Sequence, residues 1–184
     1  HGEIALKNGQ FGVAINGASN NVIGGDIPGS RNLISGNGED GIRVQGSNAI
    51  SNTVLGNYIG TDLTGTAAIP NKKNGVAIGL SATNNVISGN LISGNGGEGI
   101  ALNGQGTKAN IVLGNYIGID VTGNKALGNQ SNGVVVHVQA SENVIGGEAP
   151  GARNLISGNK DFGVVLFHDG TTKNKVQGNY IGTN

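Results

Sequence analysis

The sequence GVAIGLSATNNVISGNLISGN (residues 75–95) contains three short apolar segments separated by glycine, asparagine and serine. Related text begins at Gly12 (GVAINGASNNVIGG) and at Gly133 (GVVVHVQASENVIGG). Short β-branched segments bounded by such residues indicate strands between tight turns, and no segment keeps a helical period over a useful length. Each repeat therefore predicts three short strands.

The repeats also predict how the strands stack. Segments that open with glycine recur at intervals of 24 to 34 residues: GVAI (12–15), GIRV (41–44), GVAI (75–78), GIAL (99–102), GVVV (133–136) and GVVL (163–166). A repeat that places like residues above like favours parallel coils in register, about 4.8 Å apart, over a hairpin meander. We predict an all-β parallel β-helix of about six coils and three short parallel sheets, with residues 1–184 as a single domain.

Alternation within each strand predicts three inward-facing walls. The first wall comprises Ile42, Val44, Val76, Ile78, Ile100, Leu102, Val134, Val136, Val164 and Leu166. The second comprises Ile23, Val54, Ile87, Val112, Ile145 and Val176, and the third Ile34, Ile59, Ile92, Ile117, Ile156 and Ile181. At the bends we expect asparagines with left-handed φ whose amides hydrogen-bond between coils. These are Asn52, Asn57, Asn85, Asn90, Asn110, Asn115, Asn174 and Asn179.

Composition excludes several classes of function. Eleven basic and eleven acidic residues cancel, so nucleic acid is not an expected partner. Cysteine is absent, which excludes disulfides, thiolate metal sites and a cysteine nucleophile. No stretch approaches the roughly 20 apolar residues of a membrane span, so no membrane insertion is expected. Both ends fall within the repeat, which suggests a fragment of a longer protein whose unpaired edges favour end-to-end self-association.

The pattern N-x-I-x-G-N-x-I-S-G-N-x-x-x-G-I resembles the right-handed parallel β-helix repeat of bacterial secreted and surface proteins. This class includes domains of the carbohydrate-binding and sugar-hydrolysis type, and the resemblance extends over nearly the whole chain. It implies a right-handed helix and an extracellular or cell-surface location. Proteins with this architecture act as lyases, epimerases, hydrolases, adhesins or inert spacers, so the activity has to be argued from the residues.

One candidate for catalysis is a pair of carboxylates, Asp40 and Glu98, with Arg43 or His137 as a partner. They would lie two coils apart, roughly 10 Å, near the upper limit for an inverting glycosidase. The alternative is a solvated turn position, which we favour because an active site normally interrupts a repeat and these residues follow it. His168 and Asp169 form a further acid–base candidate, with an incidental surface histidine as the alternative.

Polysaccharide binding has stronger candidates. Tyr58, Tyr116 and Tyr180 occupy the x of G-N-x-I-G, where alternate coils have leucine. Stacking predicts an outward column in which tyrosine recurs about every 10 Å, close to a disaccharide repeat. In the alternative, which we favour, the long loops roof this column with their apolar residues, namely Ala67, Ala68, Ile69, Ala126 and Leu127. A second, polar shelf is predicted outside the first sheet, with Gln45, Asn103 and His137.

The loops contain two weaker signals. Asp62 and Asp120 lie in D-x-T-G sequences, which suit either a weak calcium site or an Asx turn closed by glycine, and the turn is favoured. We therefore expect no cofactor, with calcium as the alternative. In the insertions GGDIPGSRN and GGEAPGARN, ion pairs are predicted between Asp26 and Arg31 and between Glu148 and Arg153.

Two functions remain open from the sequence. The first is a non-catalytic extracellular module, a rigid scaffold or adhesin-like segment that binds polysaccharide along one face. The second is part of a polysaccharide-active enzyme, a lyase, epimerase or glycoside hydrolase, that uses a groove on the outer face. Repeat fidelity favours the module, because every ionisable residue lies in a turn or loop that the repeat already accommodates.

Overall fold

A computed structural model of the protein describes residues 2–183. It contains eighteen short strands, three in each of six coils. The first two coils contain β1 (Val13–Asn16), β2 (Val22–Gly24), β3 (Leu33–Ile34), β4 (Ile42–Gln45), β5 (Thr53–Leu55) and β6 (Tyr58–Ile59). The next two contain β7 (Val76–Gly79), β8 (Val86–Ser88), β9 (Leu91–Ile92), β10 (Ile100–Asn103), β11 (Ile111–Leu113) and β12 (Tyr116–Ile117). The last two contain β13 (Val134–His137), β14 (Val144–Gly146), β15 (Leu155–Ile156), β16 (Val164–Leu166), β17 (Lys175–Gln177) and β18 (Tyr180–Ile181).

The strands form three parallel sheets, as the repeat predicts. The first strands of all six coils make one sheet, the second strands another, and the third strands the last. Like residues pair across coils: Ile42 with Val76, Val76 with Ile100, and Ile100 with Val134. The chain is therefore a parallel β-helix, and the register agrees with the alignment of its repeats.

The predicted core is confirmed in the first five coils. The three walls meet in one apolar cluster, and most of its isoleucines and valines are fully buried. In the sixth coil Leu166, Val176 and Ile181 keep their register but are 41%, 40% and 47% exposed. Their predicted burial is wrong because no further coil stacks on them in this structure.

Three asparagine ladders hold the corners of the coils. In each ladder the Nδ2 of one coil donates to the Oδ1 of the next coil. Asn57 donates to Asn90 over 3.1 Å, and Asn90 donates to Asn115 over 3.0 Å. The backbone N–H of Asn57 donates to the same Oδ1 of Asn90, over 2.9 Å. All these bonds point from earlier to later coils, so the ladders have a direction.

The sequence predicted two of the ladders in part and missed the third. The full ladders run through Asn21, Asn52, Asn85, Asn110, Asn143 and Asn174, and through Asn32, Asn57, Asn90, Asn115, Asn154 and Asn179. The third comprises Asn8, Asn37, Asn71, Asn95, Asn129 and Asn159. Asn71 and Asn129 follow long insertions, which hid this column from simple alignment.

The predicted left-handed φ of the ladder asparagines is wrong. For the eight asparagines predicted, the left-handed residue is the one just before the ladder residue, for example Gly56 before Asn57 (φ 68°) and Ser51 before Asn52 (φ 57°). The ladder asparagine itself follows in an ordinary conformation. The amide can therefore point along the stack, because the preceding residue makes the turn.

Candidate functional site

Four insertions flank the outer face of the third sheet. Residues 25–31 and 147–153 connect the second and third strands of coils one and five, and residues 61–68 and 119–126 follow the third strands of coils two and four. The first two insertions therefore lie at the N-terminal ends of the strands of the third sheet, and the other two lie at the C-terminal ends. Between them runs the outward column of that sheet, Leu33, Tyr58, Leu91, Tyr116, Leu155 and Tyr180. We call this trough, floor and walls together, the tyrosine groove.

The tyrosine groove contains three cavities in a row. The first, about 700 Å³, lies between residues 25–31 and Leu63 and reaches Tyr58. The second, about 220 Å³, is lined by Arg31, Tyr58, Leu91 and Tyr116 among others. The third, about 480 Å³, lies over Leu155 between Tyr116 and Tyr180. Neighbouring cavities share a lining tyrosine, so they lie next to each other along the column, and two of them have the usual volume of ligand sites.

The insertions roof the leucines more than the tyrosines. Leu91 and Leu155 are 3% and 9% exposed, whereas Tyr116 and Tyr180 are 40% and 46% exposed. The turns of residues 61–68 and 119–126 cover this column. The backbone of Gly65 comes so close that an added Cβ would lie 2.8 Å from Leu91 Cδ2 and 3.0 Å from Tyr58 Cε2. The two turns also join each other, since Val121 N–H donates to Gly65 O over 3.0 Å.

The prediction that apolar side chains of the long loops cover the column is therefore wrong for most of the residues named. Ala67, Ala68 and Ala126 are exposed, and only Ile69 and Leu127 are half-buried. Ala68 instead lies at the corner near Gly94, where an added Cβ would come within 2.7 Å of the Ala68 Cβ. The column is partly covered, with its tyrosine edges accessible from the groove.

Two arginines lie on the tyrosines, which the sequence did not predict. The Cζ of Arg31 is 3.9 Å from the ring centroid of Tyr58, and that of Arg153 is 4.1 Å from the ring centroid of Tyr180. Arg153 Nε also donates to Gly178 O over 2.7 Å. Such cation–π contacts stabilise a guanidinium over an aromatic face.

The ion pairs predicted within these insertions are wrong. Among residues 2–183 the salt bridges are Asp40 with Arg43 and Glu39 with Lys73, and neither Arg31 nor Arg153 has a carboxylate partner. The clue that the sequence did offer is position, since both arginines directly precede the Asn-Leu of the third strand. An arginine at that position lies beside the tyrosine in the third strand of the next coil.

Tyr116 has no such arginine. In coil three the residue directly before Asn-Leu is Gly89, because that coil has no insertion between its second and third strands. Gly89 has a φ of 63°. In the second cavity the other residues that surround Tyr116 include Gly114, Leu91 and Val121. Tyr116 is therefore the tyrosine whose ring is not covered by a cation.

The other polysaccharide-binding candidates lie on a different face. Gln45, Asn103 and His137 form one outward column of the first sheet and do not line the tyrosine groove. Beside this column the outward residues Ala77, Ala101 and Val135 are not an open shelf but a buried apolar cluster, at most 2% exposed. The structure therefore separates the two sets of candidates that the sequence suggested for sugar binding.

His137 belongs to a small cluster of rings. Its ring centroid is 5.1 Å from that of Phe167 and 5.9 Å from that of His168, and both rings stack on it. Its Nδ1 is buried and makes no hydrogen bond. Burial, and then repulsion by His168, lower the pKa of His137, while Glu98 acts in the opposite direction. No hydrogen bond or ion pair joins His168 to Asp169 within residues 2–183.

Asp40 and Glu98 lie in one column, two coils apart and separated by Asn74. Asp40 is fully buried: its Oδ1 accepts the Asn74 N–H at 3.0 Å and its Oδ2 lies 2.6 Å from Arg43 Nη2. Glu98 accepts the Ser131 hydroxyl at 3.0 Å and the Asn132 N–H at 2.7 Å. Both carboxylates thus tie their own coil to the next, and Asn74 does the same toward Glu98 N–H.

Asp62 and Asp120 close the turns of two insertions. Asp62 accepts the Thr64 hydroxyl and the N–H groups of Thr66 and Ala67. Burial would raise the pKa of Asp62, but these hydrogen bonds outweigh it and keep the pKa below its ordinary value.

Asp120 is placed in the same way in the second turn. The Thr122 hydroxyl is the largest cause of its lowered pKa. Burial opposes this lowering, and the N–H groups of Lys125 and Asn124 contribute to it.

In residues 2–183 no group of three or more histidine, aspartate or glutamate side chains is placed to hold a metal ion. That part of the chain also contains no helix long and apolar enough to span a membrane.

Comparison of the chain with models of protein families, with curated proteins and with solved structures found no match. The fold and the site together define the chain as a parallel β-helix with the tyrosine groove along its third sheet.

Proposed function

We propose that the protein is a non-catalytic extracellular β-helix scaffold that binds polysaccharide along the tyrosine groove. The observation that carries the proposal is the row of three cavities that follows Tyr58, Tyr116 and Tyr180 at intervals of two coils. Two coils correspond to about 10 Å, which suits successive disaccharides of an extended glycan. Exposed aromatic rings with polar neighbours are the usual floor of a ligand site of this kind.

The structure of the scaffold supports a binding role. The groove lies on a rigid sheet whose register is held by the asparagine ladders, so a ligand meets a preformed surface and binding costs little ordering. The carboxylates considered for catalysis are engaged in bonds between coils, as described for Asp40 and Glu98. These engagements favour binding over turnover.

The test is a glycan array and pull-down with the parent protein and with Tyr58, Tyr116 and Tyr180 changed together to Ala. We expect the parent to retain at least one polysaccharide and the triple variant to lose at least about tenfold in affinity, as for aromatic hot spots. Phe162→Ala is the matched control, because Phe162 is 63% exposed and lines none of the three cavities.

Three results would contradict the proposal. Binding of no polysaccharide by the parent would remove the binding function. Equal loss in Phe162→Ala and in the triple variant would place the site elsewhere. Release of sugar fragments from any polysaccharide by the parent would replace the scaffold with a polysaccharide-active enzyme, the alternative function.

A further inference from the structure

We propose that the tyrosine groove selects acidic polysaccharides, with one sugar stacked on Tyr116 and acidic groups of the polymer bound by Arg31 and Arg153. This inference rests on the proposed function and specifies its ligand. It follows from three features of the groove: the charges that line it, the bonds the two guanidinium groups leave unused, and the spacing between them.

The cavities on either side of Tyr116 are lined by positive charge. Arg31 is the one charged residue that lines the second cavity, and Arg153 the one that lines the third. The first cavity differs, because Asp26 lines it together with Arg31. Asp62 and Asp120 lie in the turns nearby, but their carboxylates accept hydrogen bonds from their own turns. Glu148 lies in residues 147–153 but lines none of the three cavities. The charges that directly line the two cavities beside Tyr116 are therefore the two guanidinium groups.

Both guanidinium groups are placed to bind an anion. Neither has a carboxylate within ion-pair distance among residues 2–183. Each guanidinium lies against a tyrosine ring, a contact that leaves the N–H groups at its edge available for an anion, and Arg153 also donates its Nε–H to Gly178 O. A planar guanidinium held in this way suits the bidentate recognition of carboxylate or sulfate.

The spacing fits a polymer better than a single sugar. Arg31 lies on the tyrosine of coil two and Arg153 on that of coil six, with Tyr116 in coil four between them. The two cations are thus about 19 Å apart, with an uncovered aromatic ring midway. A glycan lying along the groove would bring sugars against Tyr116 while acidic groups on either side reach the arginines.

The experiment compares polymers that share a β-linked glucan backbone. Carboxymethylcellulose and cellulose sulfate are anionic, and hydroxyethylcellulose is neutral. Binding to the full chain is measured by isothermal titration calorimetry at low and physiological ionic strength. We expect at least one anionic polymer to bind about tenfold more tightly than the neutral one, and added salt to weaken this preference. The difference between carboxylate and sulfate identifies which acidic group the groove takes.

The variants assign the preference to the arginines. Arg31→Gln and Arg153→Gln should each reduce the affinity for the anionic polymer about tenfold, the loss expected for a charge-assisted hydrogen bond. Arg153→Lys keeps the charge but not the planar fork, and should recover only part of the affinity. Lys108→Gln removes an equal charge from an exposed residue outside the groove and should change little. Circular dichroism of each variant checks that the fold is kept.

The outcomes separate this inference from the function on which it rests. If the neutral polymer binds as tightly as the anionic ones and neither arginine variant weakens binding, the selectivity is wrong and the binding function stands. If Lys108→Gln lowers affinity as much as Arg153→Gln, the attraction is general and the inference is wrong. If the protein binds none of these polymers and retains no glycan on the array, both are wrong.

Discussion

Asn90 shows how much hydrogen bonding one side chain supplies within a ladder. Its Oδ1 accepts the backbone N–H and the Nδ2 of Asn57, and its Nδ2 donates to Val54 O, Ser88 O and Asn115 Oδ1. It is 1% exposed, so water cannot replace these partners. We predict that Asn90→Ala lowers the free energy of unfolding by about 2–5 kcal/mol, because several buried polar groups lose their partners at once. Urea denaturation measures this loss.

The matched control for Asn90 is an asparagine outside the ladders. Asn48 is exposed, and Asn48→Ala should change the free energy of unfolding by less than about 0.5 kcal/mol. Similar losses in the two variants would mean that asparagine matters in this chain through turn propensity and not through the ladder.

His137 makes the stability depend on pH. Because burial lowers its pKa in the folded protein, the neutral imidazole is favoured on folding. The resulting stability is present above about pH 6.5, the ordinary pKa of histidine, and is lost as pH falls through the lowered folded-state pKa. The loss should stay below about 1 kcal/mol, since the ring is partly solvated. Urea denaturation at about pH 7.5 and pH 5 should show a smaller difference in His137→Gln than in the parent, and an unchanged difference would contradict this assignment.

Sequence reasoning at the scale of residues succeeded where neighbours in the stack repeat each other. Inward positions such as Ile87 and Ile117 could be read from alternation, because each coil imposes the same environment as the last. The left-handed residues could not, since Ser51, Ala109 and Glu142 share the position without sharing any chemistry. At these three positions the residue adopts the left-handed conformation that the turn of the coil needs, whatever its own preference.

At the scale of elements, the glycine before each first strand leaves room for the third-strand isoleucine of its own coil, and in the first five coils also for the backbone of the next coil. A Cβ added to Gly75 would lie 2.5 Å from Ile92 Cγ2 and 2.7 Å from Gly99 O. Gly75 does not have a positive φ, so close packing and not backbone conformation requires glycine here. We predict that Gly75→Ala lowers the free energy of unfolding by about 1–3 kcal/mol through overpacking of this corner. Thermal and urea denaturation measure the change.

Gly9→Ala is the control for the corner glycine. A Cβ added to Gly9 would meet no atom within 4 Å, and Gly9 also lacks a positive φ. Its replacement should therefore leave stability within about 0.5 kcal/mol of the parent. A loss as large as that of Gly75→Ala would point to a general cost of alanine for glycine and not to the packing of the corner.

The strands could be predicted, whereas the insertions that shape the groove could not. Leu91 and Tyr116 lie on one column because register stacking places them there. The path of residues 25–31 instead depends on contacts that occur once or twice in the chain. An arginine on Tyr58 and an ion pair with Asp26 are of similar, small energy, so sequence alone gives little reason to choose between them.

For the whole molecule, stability should vary along the stack. The Tyr116 N–H donates to Asn90 O and the Tyr180 N–H to Asn154 O, both over 2.9 Å. The coil of Tyr116 has neighbours on both sides, whereas the coil of Tyr180 has one. In a quasi-one-dimensional protein, opening an end coil breaks one interface and opening a central coil breaks two. We predict that the Tyr180 amide exchanges its hydrogen at least about a hundredfold faster than that of Tyr116, measured by NMR.

Two different results of this measurement would be informative about the whole stack. Equal protection of Tyr116 and Tyr180 at low protein concentration would contradict independent opening of the end coil, and would mean that the six coils unfold together. Protection of Tyr180 that rises with protein concentration would support the end-to-end self-association expected from the sequence. Such a stack would have to be head to tail, because every ladder bond runs from Nδ2 of an earlier coil to Oδ1 of a later one. A head-to-head contact would set like groups against each other and interrupt all three ladders.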